Sequence, residues 1–209
     1  MNVLASITKW LSESSCTTAD DYTPHRAAIA AVCNIVDTKL AGNAPSIEDF
    51  GKYLESSHNL FITCDAIVRA TLLRVVRVIL MSVTELTDVR RYVSCIEQYK
   101  WHWLVSLSLE REPIMDNDED NDYRRGNGSE GGIVRQDFVF ERMQALKVVK
   151  IVIARSPSYI PIVFARSVVA VSNNKKDNIR KVCVEMLREM CVVNTPVVIV
   201  SNGLDALLS

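Results

Sequence analysis

No segment of this 209-residue chain approaches the ~20 consecutive apolar residues of a membrane span. The N-terminal stretch MNVLASITKWLSESS has too short an apolar run for a secretory signal. An excess of one charge is lacking too. With 24 basic against 25 acidic side chains the net charge is −1, so the surface as a whole advertises neither nucleic acid nor anionic lipid, and a charged site must be a local patch. The six cysteines, Cys16, Cys33, Cys64, Cys95, Cys183 and Cys191, form no C-x-x-C pair. Most sit inside apolar helical stretches, which favours buried free thiols in a reducing compartment over a disulfide framework. A cytoplasmic location is the expectation.

Signatures of catalysis are missing as well. His25, His58 and His102 stand far apart, each without a Cys, Asp or Glu at ligand spacing, whereas zinc needs three or four such groups. No serine lies in G-x-S-x-G or S-x-x-K, and the glycines of GNGSEGG follow no strand and open no G-K-[ST] phosphate loop. Asp116, Asp118 and Asp120 fall at positions 1, 3 and 5 of a calcium loop, but Asn121 replaces its glycine and Asn127 its closing glutamate. The expectation is no catalytic residue, no cofactor and no metal.

What is present is a pattern. Four segments begin with arginine: Arg26-AAIAAVCNIV, Arg69-ATLLRVVRVI, Arg142-MQALKVVKIV and Arg180-KVCVEMLREM. Each carries an apolar residue or alanine at offsets +3, +4, +6, +7 and +10, which is helical spacing with a wide apolar face. They start 43, 73 and 38 residues apart, and periods near 40 point to an all-α solenoid of armadillo/HEAT type. Leu72, Val76, Ile79, Leu146, Val149, Val152, Met186 and Leu187 are the expected core. A composition of 48% apolar and 23% charged residues suits one globular domain spanning residues 1–209.

Along the chain, a weak amphipathic segment over Val3 to Leu11 precedes a polar linker, and Pro24 stands just ahead of the first repeat helix, which ends near Ala41-Gly42. A short helix over Ser46 to Leu54 takes Ser46 as N-cap with Asp49 in the first turn. Helices are predicted at Asp65 to Ser82, Thr87 to Gln98, Lys100 to Glu110, Asp137 to Ala154, Pro157 to Val171 and Asp177 to Val193, the last capped by Asp177. Residues 111–135 hold four glycines and, between Asp116 and Asp122, five acidic side chains. They cannot bury enough apolar surface to offset their ordering entropy and are expected to be a disordered acidic insertion. The final Gly203-LDALLS reads as the opening turns of a further, truncated repeat.

Superposing the copies aligns cations at offset +8 (Arg77, Lys150, Arg188) and at +5 (Arg74, Lys147). The plain reading is a solvated helix face. The sharper one is a basic ladder that binds an acidic segment of a partner or of this chain's own Asp116 to Asp122 stretch. Ser129, downstream of Arg124 and Arg125, is a candidate phosphosite. Trp101 and Trp103 cannot share one helix face; partial burial of both is the favoured expectation, with one core and one exposed ring as the alternative.

From about Ile67 to Leu208 the chain resembles the N-terminal armadillo-like region of the Rictor family. The resemblance is carried by VRATLLRVVRVI, by FERMQALKVVKIVIARSPSYIP and by SVVAVSNNKKDNIRKVCVEMLREMCVVNTPVVIVSNGLDALL. The family's middle block typically reads ERTQALRLVRKMI, and its last holds G-G-L where this chain has Asn202-Gly203-Leu204. The acidic insertion is longer than the family's connector. The resemblance implies a non-catalytic scaffold that joins the TOR kinase and the other subunits of TOR complex 2, supports phosphorylation of AGC kinases such as Akt, and meets membranes only through that complex. An armadillo/HEAT adaptor for nuclear transport or vesicle coats would share everything except these blocks, and an all-helical enzyme is the rival of a different class.

Overall fold

The computed structural model describes residues 3–14, 22–111, 130–172, 177–201 and 203. Among them the chain is all-helical, with α1 (Val3–Glu13), α2 (Tyr22–Lys39), α3 (Ile47–Thr63), α4 (Ala66–Ser82), α5 (Leu86–Gln98), α6 (Trp101–Glu110), α7 (Glu130–Arg155), α8 (Ile162–Ser172), α9 (Asp177–Val193) and α10 (Thr195–Val200). No helix among the described residues is long and apolar enough to cross a membrane.

The four arginine-led copies are α2, α4, α7 and α9, and they lie side by side in that order. Every one of their +3, +4, +6, +7 and +10 positions is buried except Ala30 and Val184. A second layer packs behind them, with α1 on α3, α3 on α5 and α6, and α6 on α8. Contacts at both ends show that α2, α4 and α7 run parallel. At the leading ends of α2 and α4 His25 Nε2 meets Asp65 Oδ2 at 2.9 Å, and Arg69 Nε near the start of α4 meets Glu141 Oε1 near the middle of α7 at 2.9 Å. At the trailing ends Ser82 Oγ donates to the Leu40 carbonyl at 2.7 Å. Arg155, in the last turn of α7, donates to the carbonyls of Leu80 (2.5 Å), Met81 (3.1 Å) and Val83 at the end of α4. A guanidinium there satisfies acceptors that the helix leaves open and suits the negative end of its dipole.

α4 is apolar around most of its circumference, so it can be buried on several sides, between α2, α3 and α7. Its N-cap is Asp65, whose Oδ1 accepts from the Val68 amide at 2.9 Å. Ser46 caps α3 as expected, its hydroxyl accepting from the Asp49 amide at 3.1 Å. That helix continues to Thr63, beyond the predicted Leu54, because Ser57 and Phe61 are buried in the core and packing overrides the weak helix propensity of the segment. Gly42, with φ +76, occupies the left-handed position past the end of α2 that glycine fills without steric penalty.

Two further boundaries differ from expectation. The helix predicted from Pro157 starts at Ile162: Ser156 to Pro161 form a turned connector, and Pro161 is tolerated only ahead of the first turn. Residues 130–135, assigned by composition to the acidic insertion, belong to α7, because a helix once nucleated extends at little further cost. Residues 112–129 of that insertion and 15–21 of the polar linker, Cys16 among them, lie outside the described residues, as does the side chain of Asp177.

Candidate partner-binding site

The arginines that open the first three copies, Arg26, Arg69 and Arg142, anchor the seams between helices. Arg69 is buried in α4 and donates to Glu141 of α7, and also to the Cys64 carbonyl. Glu141, only 1% exposed, further accepts from Ser108 Oγ at 2.6 Å and lies 3.7 Å from Arg111 Nη1. Arg142 donates to the Arg111 carbonyl, and Arg26 Nη1 reaches Asp137 Oδ1 at 2.6 Å. Buried charges persist only when paired and hydrogen-bonded, so this cluster ties α2, α4, α6 and α7 together. Burial, then the like charge of Arg69, lowers the pKa of Arg111. The repeated arginine signalled this cluster in the sequence, but a charge at a repeat boundary does not name its partner.

The five cations of the expected ladder fall in three places. Arg74 forks onto Asp37 of α2, with Nε 3.0 Å from Oδ1 and Nη2 on Oδ2. Its hydrogen bond holds the Asp37 carboxyl below the usual carboxylate range. Arg77 is half-buried beside the same pair, and burial followed by the Arg74 charge lowers its pKa. Lys147 and Lys150 of α7 are exposed and border a groove of about 330 Å³ whose remaining lining is Met143, Leu146, Ile179 and Val182. Arg188 is exposed on α9 and does not line that groove among the described residues. Ser129 lies outside the described residues.

The paired tryptophans split instead of both being partly buried. Trp101 is fully buried, its Nε1 donating to the Leu54 carbonyl at 2.7 Å and its ring edge-on to Phe61 at 5.2 Å. Trp103 is 57% exposed and borders a second groove, about 410 Å³, with Leu107, Val163 and Arg166 between α6 and α8. On a helix two residues apart point some 200° from each other, so one ring takes the core and the other cannot follow.

Two of the histidines have structural surroundings. His25 holds the N-cap Asp65. His102 is buried, and its pKa is lowered chiefly by burial. Cys33 and Cys183 are buried and Cys64, Cys95 and Cys191 half-buried, all free thiols. Burial pushes Cys64 up to about 12 and Cys183 up to about 11, away from thiolate reactivity.

Residues 133–209 match the family model described as rapamycin-insensitive companion of mTOR, N-term. The resemblance to the Rictor family is thereby shown over that stretch. It takes in most of α7 together with α8, α9 and α10. Residues 67–132, where the sequence blocks also suggested Rictor, lie outside it. No curated protein and no solved structure matches the chain.

Proposed function

We propose that this chain is a helical-repeat scaffold of armadillo/HEAT type that works as a Rictor-like subunit of TOR complex 2. The observation that carries the reading is the family match over residues 133–209. It falls on the same helices whose repeated apolar offsets are buried side by side with those of α2 and α4. Stacked repeats present long helical faces, and such surfaces recruit partners without a reaction centre. In this role the protein acts in the cytoplasm, holds the TOR kinase and the other complex subunits, and serves phosphorylation of AGC kinases indirectly.

Affinity purification of the native protein from its own cells, with mass spectrometry of what accompanies it, tests the reading. Recovery of the TOR kinase is the expected result. A partner list dominated by nuclear-transport or coat proteins would overturn the complex assignment and leave the helical architecture standing.

A further inference from the structure

The α7/α9 groove differs from every other contact between neighbouring repeat helices. α4 packs closely along α7, but α7 touches α9 only briefly, and apolar side chains stay uncovered in the gap. Met143 is 44% exposed and Val182 37%. A smaller opening lined by Phe138, Val139, Met143 and Ile179 continues the groove toward the start of α7, and Val139 there is half exposed. From Val139 to Lys150 the apolar strip runs ~16 Å along α7, about three helical turns.

One rim of this strip is cationic. Lys147 and Lys150 stand three residues apart on one face of α7, are exposed, and enter no ion pair among the described residues. No acidic side chain lines the groove among those residues. By contrast, Arg74 at the equivalent offset of α4 is already occupied by Asp37.

We propose that the α7/α9 groove receives an acidic amphipathic helix of a partner protein. Apolar side chains at i, i+3, i+4 and i+7 of that helix enter between Met143 and Val182, the way helices dock in apolar grooves. Carboxylates along its flank meet the ammonium groups of Lys147 and Lys150, which fixes orientation and speeds encounter. A protein helix is favoured over a lipid surface because the apolar residues line a concavity between two helices, whereas membrane adsorption needs an apolar face that projects into the bilayer.

The test uses the whole 209-residue chain and a dye-labelled 18-residue peptide with leucine at helical i, i+3, i+4, i+7 spacing and glutamates on its flank, read by fluorescence anisotropy. A scrambled peptide of identical composition and vesicles containing phosphatidylserine are run beside it. The amphipathic peptide is expected to bind at least about tenfold more tightly than the scrambled one and to weaken with rising salt. Lys147→Glu with Lys150→Glu is expected to cost about a further tenfold, and Met143→Glu to abolish binding, with unchanged thermal melting in both. Lys147→Arg with Lys150→Arg is expected to retain binding. Equal binding of the scrambled peptide overturns the proposal, as does indifference to charge reversal at low salt. Capture by vesicles without binding of the peptide overturns it in favour of a lipid surface.

Discussion

Two seams of the same repeat stand side by side on α7 and are built differently. Against α4, α7 is packed along much of its length, bolted at one end by Arg69 and Glu141 and at the other by Arg155 on the last carbonyls of α4. Against α9 it leaves a groove with apolar walls, bordered by Lys147 and Lys150, which enter no ion pair among the described residues. Both seams use the same helix and the same offsets, so periodicity alone does not decide whether a seam closes. The α4 seam closes because α4 is apolar around most of its circumference and its one buried charge has a carboxylate waiting. Along the α9 seam Lys147 and Lys150, at offsets +5 and +8 of α7, border the opening.

If the first seam holds the fold, the largest loss comes from its buried charge. Glu141→Ala strands Arg69 in the interior and is expected to destabilise by ~3–5 kcal/mol in urea unfolding. Adding Arg69→Met should recover a large part of that loss, since the orphaned charge is then gone. Leu72→Ala, at a fully buried position on α4, is expected to cost ~2–5 kcal/mol. Val182→Ala in the open seam should cost well under half as much, because that side chain is already 37% exposed. Equal losses at Leu72 and Val182 would break the contrast between the seams.

Smaller effects concern charge. Arg74→Gln removes a half-exposed ion pair and should cost at most ~1 kcal/mol. The Asp37 carboxyl sits below its ordinary 3.8 when folded, so its contribution is present above that value and is lost as pH falls through the folded pKa. In Arg74→Gln the stability curve below pH ~4 should therefore be flatter. His102 works in the opposite sense to a paired histidine. Burial lowers its pKa from the ordinary 6.5, so the unfolded chain takes up the proton first and stability declines as pH drops below that value. His102→Gln should flatten the slope of stability between pH ~5 and ~6.5.

The sequence made the repeat legible because helical periodicity is local: Leu72, Val75, Val76 and Ile79 announce their shared face within three turns. The Ser46 cap was legible for the same reason, since it serves an amide three residues on. Proline's meaning depended on position. Pro24, read as standing just ahead of its helix, lies in the first turn of α2, while Pro157 was credited with a helix that Pro161 delays to Ile162. The short α10 had no periodicity to give it away. The site was harder to see. Arg69 and Glu141 are 72 residues apart, and nothing local joins them. Five aligned cations read as one row, yet Asp37 takes Arg74, partial burial takes Arg77, and only Lys147 and Lys150 border an open groove. Their sorting depends on how tightly each seam closes, a property of both helices at once.

Hydrogen exchange followed by mass spectrometry across α4, α7 and α9 tests the difference between the seams most directly. The slowest exchange is expected in α4 and the adjoining half of α7, with faster exchange in α9 that slows when the acidic amphipathic peptide is added while α4 is unmoved. Equal protection of α9 and α4, or a peptide that protects α4 and leaves α9 unchanged, would contradict it.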